Sequence, residues 1–387
     1  MRTWTLPEHI EDLLPEQARQ LERLRRIALD LFEAHGYELV MPPLLEHVES
    51  LLSGTGHDLD LATFKLVDQL TGRTLGIRAD MTPQVARIDA HILNRRGIAR
   101  LCYAGSVLHT RPATLGKSRQ PFQIGAELYG HAGLEADIEI QQLAVELLRA
   151  MDVGRLHLDM GHPTVFRALM DMIQPAGDVA ERAFRAVMTK DVPAIRGMEH
   201  ELGAVAAAVA ALPGLYGDVS VIAAAREMLP RQFRIVSALD ELESLASQLV
   251  AQEIAVSVDL GELGGFNYES GITFCIYAAG APAAIANGGR YDEVGRAFGR
   301  ARPATGFSLD LRSVLALTSP PARRFGILAP RSTDSALAAE IARLRAAGEV
   351  VVINLPGHDD HLRELHCDRQ LAMCGGRWTV MPINASQ

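Results

Sequence analysis

The sequence predicts an α+β protein of two domains, the first carrying a helical insertion. Three observations lead there. The chain opens on a long amphipathic helix that runs into a short strand and Pro42-Pro43. A helical, Ala-rich stretch from about 173 to 252 interrupts segments with strand-like patterning. A linker, Thr318 to Arg324, then sets off a short tail. The predicted boundaries are 1–320 for the first domain and 325–387 for the second.

Each element has a local reason. In Pro15 to His35, residues Leu21, Leu24, Ile27, Ala28, Leu31 and Phe32 follow the three-four spacing of one helix face. Pro15 suits the first turn and Gly36 is placed to end the helix. Tyr37 to Met41 reads as a strand. Thr63 to Leu70 and Arg73 to Arg78 form a hairpin across Thr71-Gly72. Asp80 to Leu93 begins Asp-Met-Thr-Pro-Gln, a helix start in which Asp80 suits the cap and Pro83 the first turn. Glu135 to Met151 is a second amphipathic helix with Ile138, Leu143, Leu147 and Leu148 to bury. Leu156 to Met160 is a strand. Within the Ala-rich stretch, Ala204 to Leu212 offers a small-residue surface for close helix packing. Ile254 to Asp259, Thr273 to Ala279 and Ala304 to Ser308 resume the strands. In the tail, Phe325 to Ala329, Asp334 to Ala347 and Glu349 to Asn354 read strand, helix, strand. Cys367 to Pro382 reads as a hairpin turning at Gly375-Gly376.

Bulk composition narrows the class of function. The 387 residues allow two or three domains, and 48% apolar with 5% aromatic content is an ordinary globular balance. No run of about 18 uncharged apolar residues predicts a membrane span. Glu8, Glu11 and Asp12 leave the N-terminus without the apolar core of a secretory signal. Cys102, Cys275, Cys367 and Cys374 are widely spread, as expected of reduced thiols in a cytoplasm. The net charge of −9 argues against nucleic acid, because phosphate neutralisation needs a basic face. His358, His361, His366, Cys367 and Cys374 match no compact zinc spacing, so no metal site is expected.

Two stretches carry a family resemblance. Cys102 to Gly130 reads CYAGSVLHTRPATLGKSRQPFQIGAELYG. Ala286 to Asp292 reads ANGGRYD and is followed by Pro303-Ala304-Thr305-Gly306-Phe307-Ser308 and Arg312. These resemble motifs 2 and 3 of the histidyl-tRNA synthetase family, over roughly Leu6 to Leu317. The resemblance implies a class II aminoacyl-tRNA synthetase-like antiparallel sheet flanked by helices, a helical insertion and a small α/β C-terminal domain. Arg111-Pro112 and Arg119-Gln120 keep the motif 2 register, but the family's catalytic arginine falls on Leu108 and its glutamate on Thr110. Leu263 to Gly271 is similar to the family's histidine signature, with Gly264 where that signature has arginine. Both missing arginines face the reacting phosphate. Loss of one such preorganised donor costs on the order of 3–4 kcal/mol of transition-state stabilisation. Arg312 holds the place of the arginine that stacks on adenine, which leaves a possible vestigial nucleotide site.

The amino-acid pocket keeps its register. By the resemblance, Asp80, Thr82 and Gln123 lie near the ligand ammonium, Glu127 and Tyr268 near an imidazole, and Tyr291 forms a further wall or partner. Arg87 is structural by default. The ligand carboxylate is left without its expected arginine. A chain that keeps this pocket and loses the activating charge resembles the regulatory subunits of ATP phosphoribosyltransferase, synthetase-like paralogues in bacterial histidine biosynthesis. That resemblance, which includes the short tail, implies a non-catalytic cytoplasmic chain without cofactor. It implies a short-form catalytic subunit as partner, L-histidine as effector, and a homodimer within a hetero-oligomer, with no nucleic acid and no membrane. The alternative is a divergent histidyl-tRNA synthetase, which needs other groups in place of Leu108 and Gly264.

Overall fold

The computed structural model describes residues 5–53, 57–112, 117–264, 269–357 and 364–383. The chain divides into two compact units, Met1–Pro320 and Pro321–Gln387.

In the first unit, nine strands among the described residues form one sheet. Its centre is the antiparallel run Ala99–Ser106, Phe122–Tyr129, Ala304–Asp310, Ala286–Arg290, Thr273–Ala278 and Leu156–Gly161. The sheet is mixed rather than purely antiparallel. Glu38–Leu39 joins Ala99–Ser106 in parallel at one side, and Leu156–Gly161 pairs in parallel with Ala255–Asp259 near the other. A parallel pair needs a long crossover. Here the helical insertion supplies it, from helix Thr164–Ile173 to helix Phe233–Val250. The Ala-rich patch does not form one continuous helix. It breaks into helix Ala206–Ala211 between 3₁₀ turns Gly203–Val205 and Leu212–Gly214.

Strand alternation divides the sheet into two chemistries. Cys102, Ile124, Ala126, Leu128, Phe307 and Leu309 face the large core, which helices Pro15–Ala34 and Leu134–Ala150 complete with Leu24, Phe32, Ile140 and Leu147. Tyr103 and Tyr129 face the opposite side, in a smaller cluster with Met81, Val85 and Tyr291. Gln123 and Glu127 share the odd positions of their strand with Tyr129 and so stand on that second face. Helix Thr82–Arg87 closes over it and loosens into a π-helical turn at Ile88–Leu93. Arg87 pairs with Glu46 at 2.5 Å, in keeping with a structural role.

The second unit is a four-stranded sheet ordered Val351–Ile353, Gly326–Ala329, Cys367–Cys374, Arg377–Pro382. Helix Ser335–Ala346 packs on it through Leu337, Ile341 and Leu344. Asp334 caps that helix by accepting the Ala336 N–H at 2.8 Å, and its other oxygen accepts the Trp378 indole N–H at 2.7 Å.

Candidate functional site

Glu127 is the centre of the second face. It is 1% exposed. Strand register sets Glu127 opposite Leu101 on one side and Gly306 on the other. A Cβ at position 306 would lie 1.6 Å from Glu127 Oε2, so only glycine there leaves room for the carboxyl group. In the same way Gly125 pairs with Tyr103, and a Cβ would stand 2.5 Å from the phenol oxygen.

Both oxygens of the carboxyl group are engaged. Oε1 accepts from the Tyr103 hydroxyl at 2.9 Å and from Thr82 Oγ1 at 3.2 Å. Oε2 accepts from the Tyr291 hydroxyl. Burial dominates its titration and pushes it up to about 8, against the pull of those three donors. Burial and the nearby Glu127 likewise hold the Tyr103, Tyr129 and Tyr291 phenols well above their usual range.

A second group of polar side chains continues from this cluster to an open cavity. Gln123 Nε2 donates to Asp80 Oδ1 at 2.7 Å, and its Oε1 accepts the Met81 N–H at 2.9 Å. Asp80 Oδ1 also accepts the Thr82 N–H at 3.0 Å, which fixes the start of helix Thr82–Arg87. Asp80 and Gln123 line a cavity of ≈ 340 Å³ together with His109, Lys117, Asn287 and Ser308. The arrangement offers acceptors for an ammonium at the cavity wall and a carboxyl group behind it for a ring N–H.

The sequence-predicted residues therefore divide into two groups. Asp80 and Gln123 face the cavity. Thr82, Glu127 and Tyr291 form the closed cluster behind them. Tyr268 lies outside the described residues. Arg312 is not among the residues lining the cavity, and its Nη1 lies 3.6 Å from Glu11 Oε1. In the GGRYD stretch, Arg290 is buried and donates to Asp137 and to the carbonyls of His131 and Gly133. That anchorage presents the next residue, Tyr291, to Glu127. Sequence reasoning missed Tyr103, Gly125 and Gly306. Their signal is a glycine inside a strand pattern, which marks a close approach.

Comparison with known proteins decides the family. The histidyl-tRNA synthetase family model matches residues 9–314. The model described as the ATP phosphoribosyltransferase subunit HisZ C-terminal domain matches residues 323–381. An ATP phosphoribosyltransferase regulatory subunit of Ralstonia nicotianae is 57% identical over 387 residues, 100% of each chain. The chain belongs to the ATP phosphoribosyltransferase regulatory subunit family. A solved ATP phosphoribosyltransferase regulatory subunit/histidyl-tRNA synthetase from Bacillus halodurans superposes with a TM-score of 0.81 at 28% identity, covering 94% of this chain and 96% of that one. A histidyl-tRNA synthetase from Nostoc sp. shares the fold, with a TM-score of 0.76 at 16% identity over 99% of this chain and 97% of that one. Membership makes the chain a regulatory subunit of histidine biosynthesis, not a catalytic one. The short tail is the family's own C-terminal domain. No helix among the described residues is long and apolar enough to cross a membrane.

Proposed function

We propose that this regulatory subunit binds L-histidine in the pocket formed by Asp80, Thr82, Gln123, Glu127, Tyr268 and Tyr291, and transmits histidine feedback to a short-form catalytic subunit of ATP phosphoribosyltransferase that needs it for activity. The observation that carries this is the pairing of ammonium acceptors at the cavity, Asp80 and Gln123, with a buried carboxyl group behind them. Leu108 and Gly264 leave that pocket without the arginines that activation of an amino acid requires. Arg312 keeps the place of a nucleotide-stacking residue but faces Glu11, consistent with a vestigial site.

Regulation needs two states that histidine distinguishes. Tyr291 now holds Glu127 Oε2. The imidazole N–H replaces that hydroxyl when histidine enters, and the displaced Tyr291 shifts the segment that follows it. By linkage, histidine and the active assembly then oppose each other. The chain acts as a homodimer within the hetero-oligomer. Leu39, Met41 and Leu44, at 43%, 73% and 50% exposure, support an apolar dimer face beside the first helix.

The test is phosphoribosyl transfer by the short catalytic subunit, measured with and without this chain and over a histidine titration. Activity that depends on the chain and falls with histidine is expected. Glu127→Ala should weaken histidine binding by about tenfold, because the ring N–H of the ligand is left buried without its acceptor. An inhibition curve unchanged in that variant would remove Glu127 from the site.

A further inference from the structure

We propose that Lys117 is the cation that holds the α-carboxylate of the bound amino acid, in place of the arginines lost at Leu108 and Gly264. This assignment rests on the histidine pocket proposed above. An amino acid carries its ammonium and carboxylate on one carbon. A cation for the carboxylate must therefore line the same cavity as the ammonium acceptors Asp80 and Gln123. Lys117 lines that cavity.

Arg119 and Arg78 are committed elsewhere, and Arg312 does not line the cavity. Arg119 donates to the carbonyls of His109 at 3.1 Å and Glu8 at 3.4 Å, and its guanidinium lies over the Phe64 ring at 5.1 Å. Arg78 is buried and donates to the carbonyls of Ser106 and Pro42. Arg312 faces Glu11. His109, on the cavity wall, has its Nε2 within 2.8 Å of the Ala79 carbonyl.

Lys117 is held but not neutralised. Its Nζ donates to Ser313 Oγ at 2.7 Å, and Ser313 in turn donates to Asp310 Oδ2 at 2.8 Å. Asp310 also lines the cavity, but its Oδ1 caps the Phe122 and Arg312 N–H groups, each at 3.0 Å. Among the described residues, no carboxylate makes a salt bridge with Lys117. An ammonium has three donors, so two remain for a ligand. The chemistry also suits a sensor. A lysine is a point charge on a flexible stem and serves a resting carboxylate, whereas arginine's planar fork clamps phosphate oxygens. The substitution keeps recognition and gives up activation.

Calorimetric titration of the full chain tests this with histidine and with histidinol, which lacks the carboxylate. Lys117→Met should weaken histidine by at least about tenfold and leave histidinol unchanged. Lys117→Arg should restore most of the histidine affinity. Wild-type histidine affinity in Lys117→Met would overturn the assignment while leaving the pocket standing. So would an equal loss for histidinol, or an equal loss in Lys117→Arg. No histidine binding to the wild-type chain would sink the pocket itself, and Lys117 with it.

Discussion

Burial of Glu127 among tyrosines sets its charge as well as its partners. Its carboxyl group moves from the ordinary 4.5 to about 8, so the folded chain keeps a proton that the unfolded chain releases between those values. The stability this contributes is complete below about pH 4.5 and drains away as pH rises to about 8. Glu127→Gln keeps the shape and does not titrate. Its melting temperature relative to wild type should rise steadily across that window in scanning calorimetry. A difference independent of pH would mean that Glu127 is not protonated in the fold. Gly306 makes the same point sterically. Gly306→Ala should cost about 1–3 kcal/mol in urea denaturation, because the new methyl must displace the carboxyl group or the strand. Asp80, Gln123 and Glu127 were legible in the sequence because they sit in motifs. Tyr103 was not, since it comes to Glu127 only through the register that sets it opposite Gly125.

At the scale of elements, most of the secondary structure follows from local pattern. The helix Pro15–Ala34, the hairpin Phe64–Val67 with Thr74–Ile77 and the tail's strand-helix-strand all lie where apolar spacing and turn residues put them. Two features escape such reasoning. The parallel pairings at the sides of the sheet depend on which distant strand arrives, and short-range patterning carries no trace of that. The breaks within the Ala-rich patch depend on Gly203 and Pro213, which outrank the helix propensity of the alanines between them. Strand Ala286–Arg290 meets helix Leu134–Ala150 through a buried ion pair. Arg290 and Asp137 are 9% and 4% exposed as side chains. Arg290→Met would leave Asp137 buried without its counter-charge. The expected loss is about 3–5 kcal/mol, read from denaturant unfolding. A loss near zero would show that the pair serves orientation alone.

At the scale of the whole molecule, the two units differ in how much core they own. The unit Pro321–Gln387 rests on one cluster built around Ile327, Leu337, Ile341, Leu344 and Leu371. A domain of that size is marginal without further staples. Ile341→Ala should therefore unfold this unit at a much lower temperature than wild type, by about 2–5 kcal/mol of lost stability, while histidine affinity in the first unit stays unchanged. Protection of amides in Gly326–Ala329 from hydrogen exchange would report it. The crossover through the helical insertion has a consequence for the order of synthesis. Ser257 donates to Asp159 across the parallel pair, from 98 positions further along the chain. A ribosome making this protein completes strand Leu156–Gly161 long before its neighbours Thr273–Ala278 and Ala255–Asp259 exist. Until then that strand has neither of its ladder partners, and loop-closure entropy delays its pairing. The insertion, helical and lying between the two strands in sequence, can form its local contacts in that interval, before the sheet closes around Leu156–Gly161.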